Sequence, residues 1–129
     1  MIGVDTNIVV RLLTQDDERQ FLKAKEVFTR EQIFIADTVI LETEWVLRFA
    51  YGFKPDNVRP ALTKLLGLPN VHVNNPEKLS RVIQLYKTGL DFADAMHLTA
   101  SLRHDAFLTF DKVFIHRSKG LTNCQVKEP

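Results

Sequence analysis

The sequence predicts an α/β protein: a three-layer α/β/α sandwich built on a short parallel sheet of four to five strands. Two observations carry this. Short β-branched or aromatic runs recur along the chain, and each is separated from the next by a stretch whose apolar residues repeat at helical spacing. Strands of that kind alternating with helices describe a parallel sheet covered on both faces.

Taken in order, Ile2-Gly3-Val4 reads as the first strand and Asn7 to Thr14 as a short helix. Asp16 to Glu31 reads as a longer helix, with Phe21, Ala24, Val27 and Phe28 recurring on one side. Ile33-Phe34-Ile35 is the second strand, and Asp37 or Thr38 is placed to cap a helix from Val39 to Ala50 that stops at Tyr51-Gly52. Pro55-Asp56-Asn57 opens the next helix, whose apolar side is Val58, Leu62, Leu65 and Leu66 and which Gly67 and Pro69 close. Val71-His72-Val73 is the third strand. Pro76 opens a helix to Lys87 and Asp91 one to about His104; Ala106 to Phe110 is the fourth strand, and Cys124-Gln125-Val126 a weak fifth.

At 129 residues the chain is expected to form one domain, residues 1–129. A composition 45% apolar and 26% charged excludes a disordered chain, and a net charge of +1 means that any basic surface is local. The single cysteine, Cys124, excludes an internal disulfide and a cysteine-built zinc site. No apolar stretch is long enough to span a membrane and no signal peptide is evident, so the expected location is the cytoplasm.

Sixteen acids would mostly be solvated surface, so the informative ones are those at strand ends and helix starts. Asp5 follows the first strand directly, and Thr6 or Asn7 is equally able to cap the helix after it. Asp111 follows the fourth strand directly, where a cap on Lys112 to His116 is the competing reading. Glu42 shares a helical face with Val39, Val46, Phe49 and Ala50, whereas Glu44 falls on the side read as solvated. Asp91 and Asp94 stand three apart at a helix start, which suits Asp91 as N-cap; Asp94 precedes the small, apolar run Ala95 to Ala100. Two like charges ~4 Å apart repel by roughly 4 kcal/mol at an effective dielectric of ~20, so acids gathered at one edge call for a cation. Oxygen-only donors select Mg²⁺ or Mn²⁺, and His72, His97, His104 and His116 show no metal-ligand spacing.

With these residues in view, the sequence resembles the PIN-domain family, and within it the VapC-like toxins of bacterial toxin–antitoxin systems. The resemblance rests on Val4-Asp5-Thr6-Asn7, on Leu41-Glu42-Thr43-Glu44-Trp45-Val46-Leu47-Arg48, on Asp91-Phe92-Ala93-Asp94-Ala95-Met96-His97-Leu98 and on Thr109-Phe110-Asp111-Lys112. It implies a metal-dependent endoribonuclease, commonly a homodimer, held inactive by a small antitoxin that also binds promoter DNA. Carried over residue by residue, Asp5, Glu42, Asp94 and Asp111 look like the catalytic acids, with Asp5 and Asp94 the principal ligands of Mg²⁺ or Mn²⁺. Thr6, Asn7, Asp91 and Thr109 look like their polar support.

The RNA substrate needs a basic track, for which Arg48, Lys54, Arg59 and the group Lys112, Arg117 and Lys119 are the candidates. Phe49, Tyr51 and Phe53 suit either a dimer or antitoxin contact, or the core. A phosphoaspartate enzyme would want a second aspartate two residues after Asp5, where the chain has Asn7. A response-regulator-like module fails because His72 lies in the third strand and Asp56 begins a helix. An interaction or RNA-binding module of the same fold, without nuclease activity, is the alternative.

Overall fold

The computed structural model describes residues 1–129, and their Cα packing divides them into two compact units, Met1–Asn74 and Asn75–Pro129.

In the first unit, β1 (Ile2–Gly3), β2 (Ile33–Phe34) and β3 (Val71–His72) pair in parallel, in that order. Ile2 faces Ile33, and Ile33 faces Val71. The middle strand carries the core, since Ile33 and Ile35 are fully buried whereas edge residue Ile2 is exposed. Four helices join the strands: α1 (Thr6–Thr14), α2 (Glu18–Arg30), α3 (Asp37–Phe49) and α4 (Pro55–Leu66). α1 packs on both α2 and α3. Ala24 and Phe28 of α2, and Val58, Leu62 and Leu65 of α4, bury the apolar sides expected of them. Asn70 ties β3 to the end of α2, its amide donating to the carbonyls of Phe28 and Glu31 at 2.6 and 2.8 Å, so carbonyls a helix end leaves without partners are satisfied.

In the second unit, α5 (Pro76–Lys87) packs on α6 (Phe92–Ala100). Leu79, Val82, Leu85 and Tyr86 meet Phe92, Ala95 and Leu98 in a buried face, and the Tyr86 and Phe92 rings make an edge contact at 5.1 Å. β4 (Ala106–Leu108) and β5 (Gln125–Lys127) form a parallel pair, with α7 (Lys112–Ser118) between them in sequence and packed on β5.

Every strand pairs in parallel, as expected, but the hydrogen-bonded ladders are two, of three and two strands, where the sequence suggested a single one. Strands of two or three residues make too few ladder bonds to define long ribbons, and the helices carry most of the buried apolar surface. α3 corrects a second expectation. Its N-cap position is Ala36, without a side-chain cap, and Asp37 is the first helical residue. α6 ends at Ala100, about one turn short of His104. No helix is long and apolar enough to cross a membrane.

Candidate functional site

The first unit places its acids around a cleft of about 350 Å³ lined by Asp5, Thr6, Asn7, Arg11, Glu42 and Tyr51, with Val10, Val46 and Ala50 as its apolar part. Asp5 enters it because β1 ends two residues earlier, at Gly3. Asp5 is itself the N-cap of α1, so capping does not pass to Thr6 or Asn7. Its Oδ1 accepts from the Thr6 amide at 2.7 Å, where caps usually reach the second or third helical residue. Thr6 is nine-tenths buried, and its hydroxyl has no hydrogen-bond partner. Asp37 opens α3, the helix that follows β2, as Thr6 opens α1 after β1. Its Oδ1 is buried and unpartnered as well, and sequence reasoning saw in Asp37 only a cap.

Glu42 lines the cleft, but not from a buried stripe. α3 buries Ile40, Thr43, Glu44 and Leu47 and leaves Glu42 exposed. Glu44, read from sequence as solvated, is 1% exposed, and its carboxylate receives the Arg48 guanidinium at 2.9 and 3.3 Å. An acid can be buried there because Arg48 stands one turn away on the same face. Arg48, expected on the RNA track, is thus turned toward Glu44, and its guanidinium lies 4.6 Å over the Phe49 ring. Phe49 is exposed against an exposed Trp45, rings 5.2 Å apart, while Tyr51 is half-buried with its hydroxyl in a polar network.

In the second unit the acids sit at two helix starts. Asp91 caps α6, accepting from the Asp94 amide at 3.2 Å, as its spacing suggested. Asp111 caps α7, its Oδ1 accepting from the amides of Val113 and Phe114 at 3.0 and 3.1 Å. Thr109 supports it, because the Asp111 amide donates to the Thr109 hydroxyl at 3.0 Å. Asp94 is half-buried, and burial first, then the charges of Asp91 and Asp111, push its carboxyl above the ordinary range, with His97 opposing weakly. Like charges and desolvation both disfavour the ionised form. Arg117 donates to the Gly89 carbonyl at 3.1 Å, and Lys112 and Lys119 are exposed at the two ends of α7.

The sequence profile of the PIN domain matches residues 2–120. The chain belongs to the PIN domain family. PIN domains are commonly nucleases that use divalent metals, so the function class is nuclease-type. No curated protein matches the chain.

In this PIN domain no three histidine, cysteine, aspartate or glutamate side chains stand close enough to hold an ion between them. The donor chemistry nevertheless fits a hard divalent cation. Asp94 carries the field of two more carboxylates, Asp5 and Glu42 share a cleft with an unpartnered hydroxyl, and oxygen is the only donor type in either group. Sequence reading missed Arg11 and Tyr51 as cleft residues. Their partners lie up to 40 positions away, and no local pattern announces such a contact.

Proposed function

We propose that this PIN domain is a metal-dependent endoribonuclease, the toxin of a toxin–antitoxin pair, acting in the cytoplasm. The observation that carries the reading is Asp94, a half-buried carboxyl whose ionised form is disfavoured by burial and by the charges of Asp91 and Asp111, a cost that a bound cation would offset.

The resemblance to the PIN-domain family assigns Asp5 and Asp94 as the ligands of Mg²⁺ or Mn²⁺ and Glu42 and Asp111 as the remaining acids. The bound ion supplies charge neutralisation at the scissile phosphate and acidifies the attacking water. Glu42, exposed in the cleft, orients that water and accepts its proton. Asp111, fixed by its two amide bonds and by Thr109, keeps its second oxygen for the site. The water oxygen bonds to phosphorus as the P–O3′ bond breaks, and the departing oxygen takes a proton from solvent. The products are a 5′-phosphate and a 3′-hydroxyl, and the ribose 2′-OH takes no part.

The exposed Trp45–Phe49 pair and the exposed Leu108, Phe110 and Val113 supply apolar surface for a second copy of the chain or for a small antitoxin, through which alone promoter DNA would be bound. The test is cleavage of labelled RNA by the purified chain with Mg²⁺, Mn²⁺ or EDTA, followed by analysis of the ends. EDTA-sensitive cleavage leaving 5′-phosphates supports the reading. Ends made only of 2′,3′-cyclic phosphate refute it, and RNA binding without cleavage favours the non-catalytic module.

A further inference from the structure

Arg11 is held more firmly than a half-buried surface arginine needs to be. Its Nε donates to Gln20 Oε1 at 2.6 Å, and its Nη1 donates to the Tyr51 hydroxyl at 2.8 Å and to the Asp16 carboxylate at 3.1 and 3.3 Å. The Tyr51 hydroxyl donates in turn to Asp16 at 2.7 Å, and the Thr14 hydroxyl donates to Asp16 at 2.8 Å. Gln15 makes this possible by adopting φ 55° and ψ 26°, a left-handed conformation that disfavours a side chain, so that the chain turns Asp16 back onto α1. An ion pair whose members are 29% and 41% exposed contributes at most about 1 kcal/mol, so stability is a poor reason for five side chains to converge.

What the network achieves is a guanidinium fixed in place. Of its five N–H donors, those on Nη2 take part in no internal bond, and the group is charged at every working pH. Arg11 also stands at a junction. It lines the acid cleft with Asp5 and Glu42, and it lines a second cavity of about 510 Å³ with Asn7, Gln20 and Lys23. A fixed cation between an acidic cleft and a lysine suits a chain of phosphates.

Resting on the nuclease reading, we propose that Arg11 positions the substrate: its Nη2 binds a phosphate of single-stranded RNA next to the scissile one, and Lys23 takes a further phosphate in the second cavity. The RNA backbone then crosses α1 from the acids toward α2, and Tyr51 acts through Arg11.

The test separates binding from cleavage. The affinity of a short fluorescein-labelled single-stranded RNA is measured by anisotropy across a salt series in EDTA, and cleavage is measured in Mn²⁺. Arg11→Met is expected to weaken binding about tenfold and to lower the slope of log K against log salt by about 0.7, the share of one phosphate contact on a single strand. Lys23→Met lowers the slope similarly, Arg11→Lys restores the slope without restoring the affinity, and Tyr51→Phe weakens affinity at constant slope. Cleavage by the parent chain with an unchanged affinity and slope in Arg11→Met and Lys23→Met overturns this inference and leaves the nuclease reading intact. A parent chain that neither binds nor cuts RNA overturns both. Lys23, exposed and without an ion pair, keeps the test decisive if Arg11→Met does not fold.

Discussion

Arg48→Met is the perturbation that most directly weighs packing against substrate binding. The Glu44 carboxylate is 1% exposed and the Arg48 side chain 32% exposed, so removing the guanidinium leaves a charge that water cannot reach. Breaking a buried pair in this way costs about 3–5 kcal/mol, and the exposure of Arg48 puts the expected loss near the lower end. At an unfolding entropy of about 2.1 cal/mol/K per residue, a loss of about 3 kcal/mol in a chain of this length lowers Tm by about 11 °C. Calorimetry or a denaturant melt measures it. Adding Glu44→Gln in the same chain should recover part of the loss, because a neutral amide is cheaper to bury than a carboxylate that has lost its guanidinium. A drop below about 3 °C, accompanied by weakened RNA binding, would refute the reasoning and return Arg48 to the RNA track.

Four other changes address three of the acids. Asp111→Ala should cost about 1 kcal/mol by removing the cap of α7, whereas Asp111→Asn keeps a cap; both should lose RNA cleavage, and full activity in the asparagine variant would reduce Asp111 to a cap. Asp94→Asn should abolish cleavage in a folded protein, as should Asp5→Asn, with circular dichroism as the control. Asp94→Asn should also raise Tm in EDTA at neutral pH. The folded carboxyl titrates above its ordinary value, so its favourable contribution is present at acid pH and lost as pH rises through the folded value, and the advantage of asparagine shrinks as pH falls. A variant that melts lower than the parent at neutral pH would show that the site prefers a charged Asp94.

Much of this structure is visible in local sequence, because helix starts and short apolar runs are local signals. Pro76 and Asp91 begin or cap helices where the sequence places them, and the buried side of α4 is the side its spacing picks out. α3 misleads because it is apolar on two sides. Val39, Val46 and Phe49 make as good a stripe as Ile40, Thr43 and Leu47, and only tertiary packing selects the second. The glutamate–arginine pair at one-turn spacing, Glu44 and Arg48, was the clue that the buried acid was Glu44. The Arg11 network was illegible for a different reason: it depends on a left-handed Gln15 and on a tyrosine in the turn after α3, and neither leaves a local pattern.

The unpartnered hydroxyl of Thr6 has a consequence for engineering. A buried polar atom without a hydrogen bond costs about 1–3 kcal/mol, so Thr6→Val, which keeps the shape and removes the unmet demand, should make a sturdier protein. Selection for thermostability alone would therefore drift toward valine in the lining of the acid cleft, and would remove its one unpartnered hydroxyl as it did so.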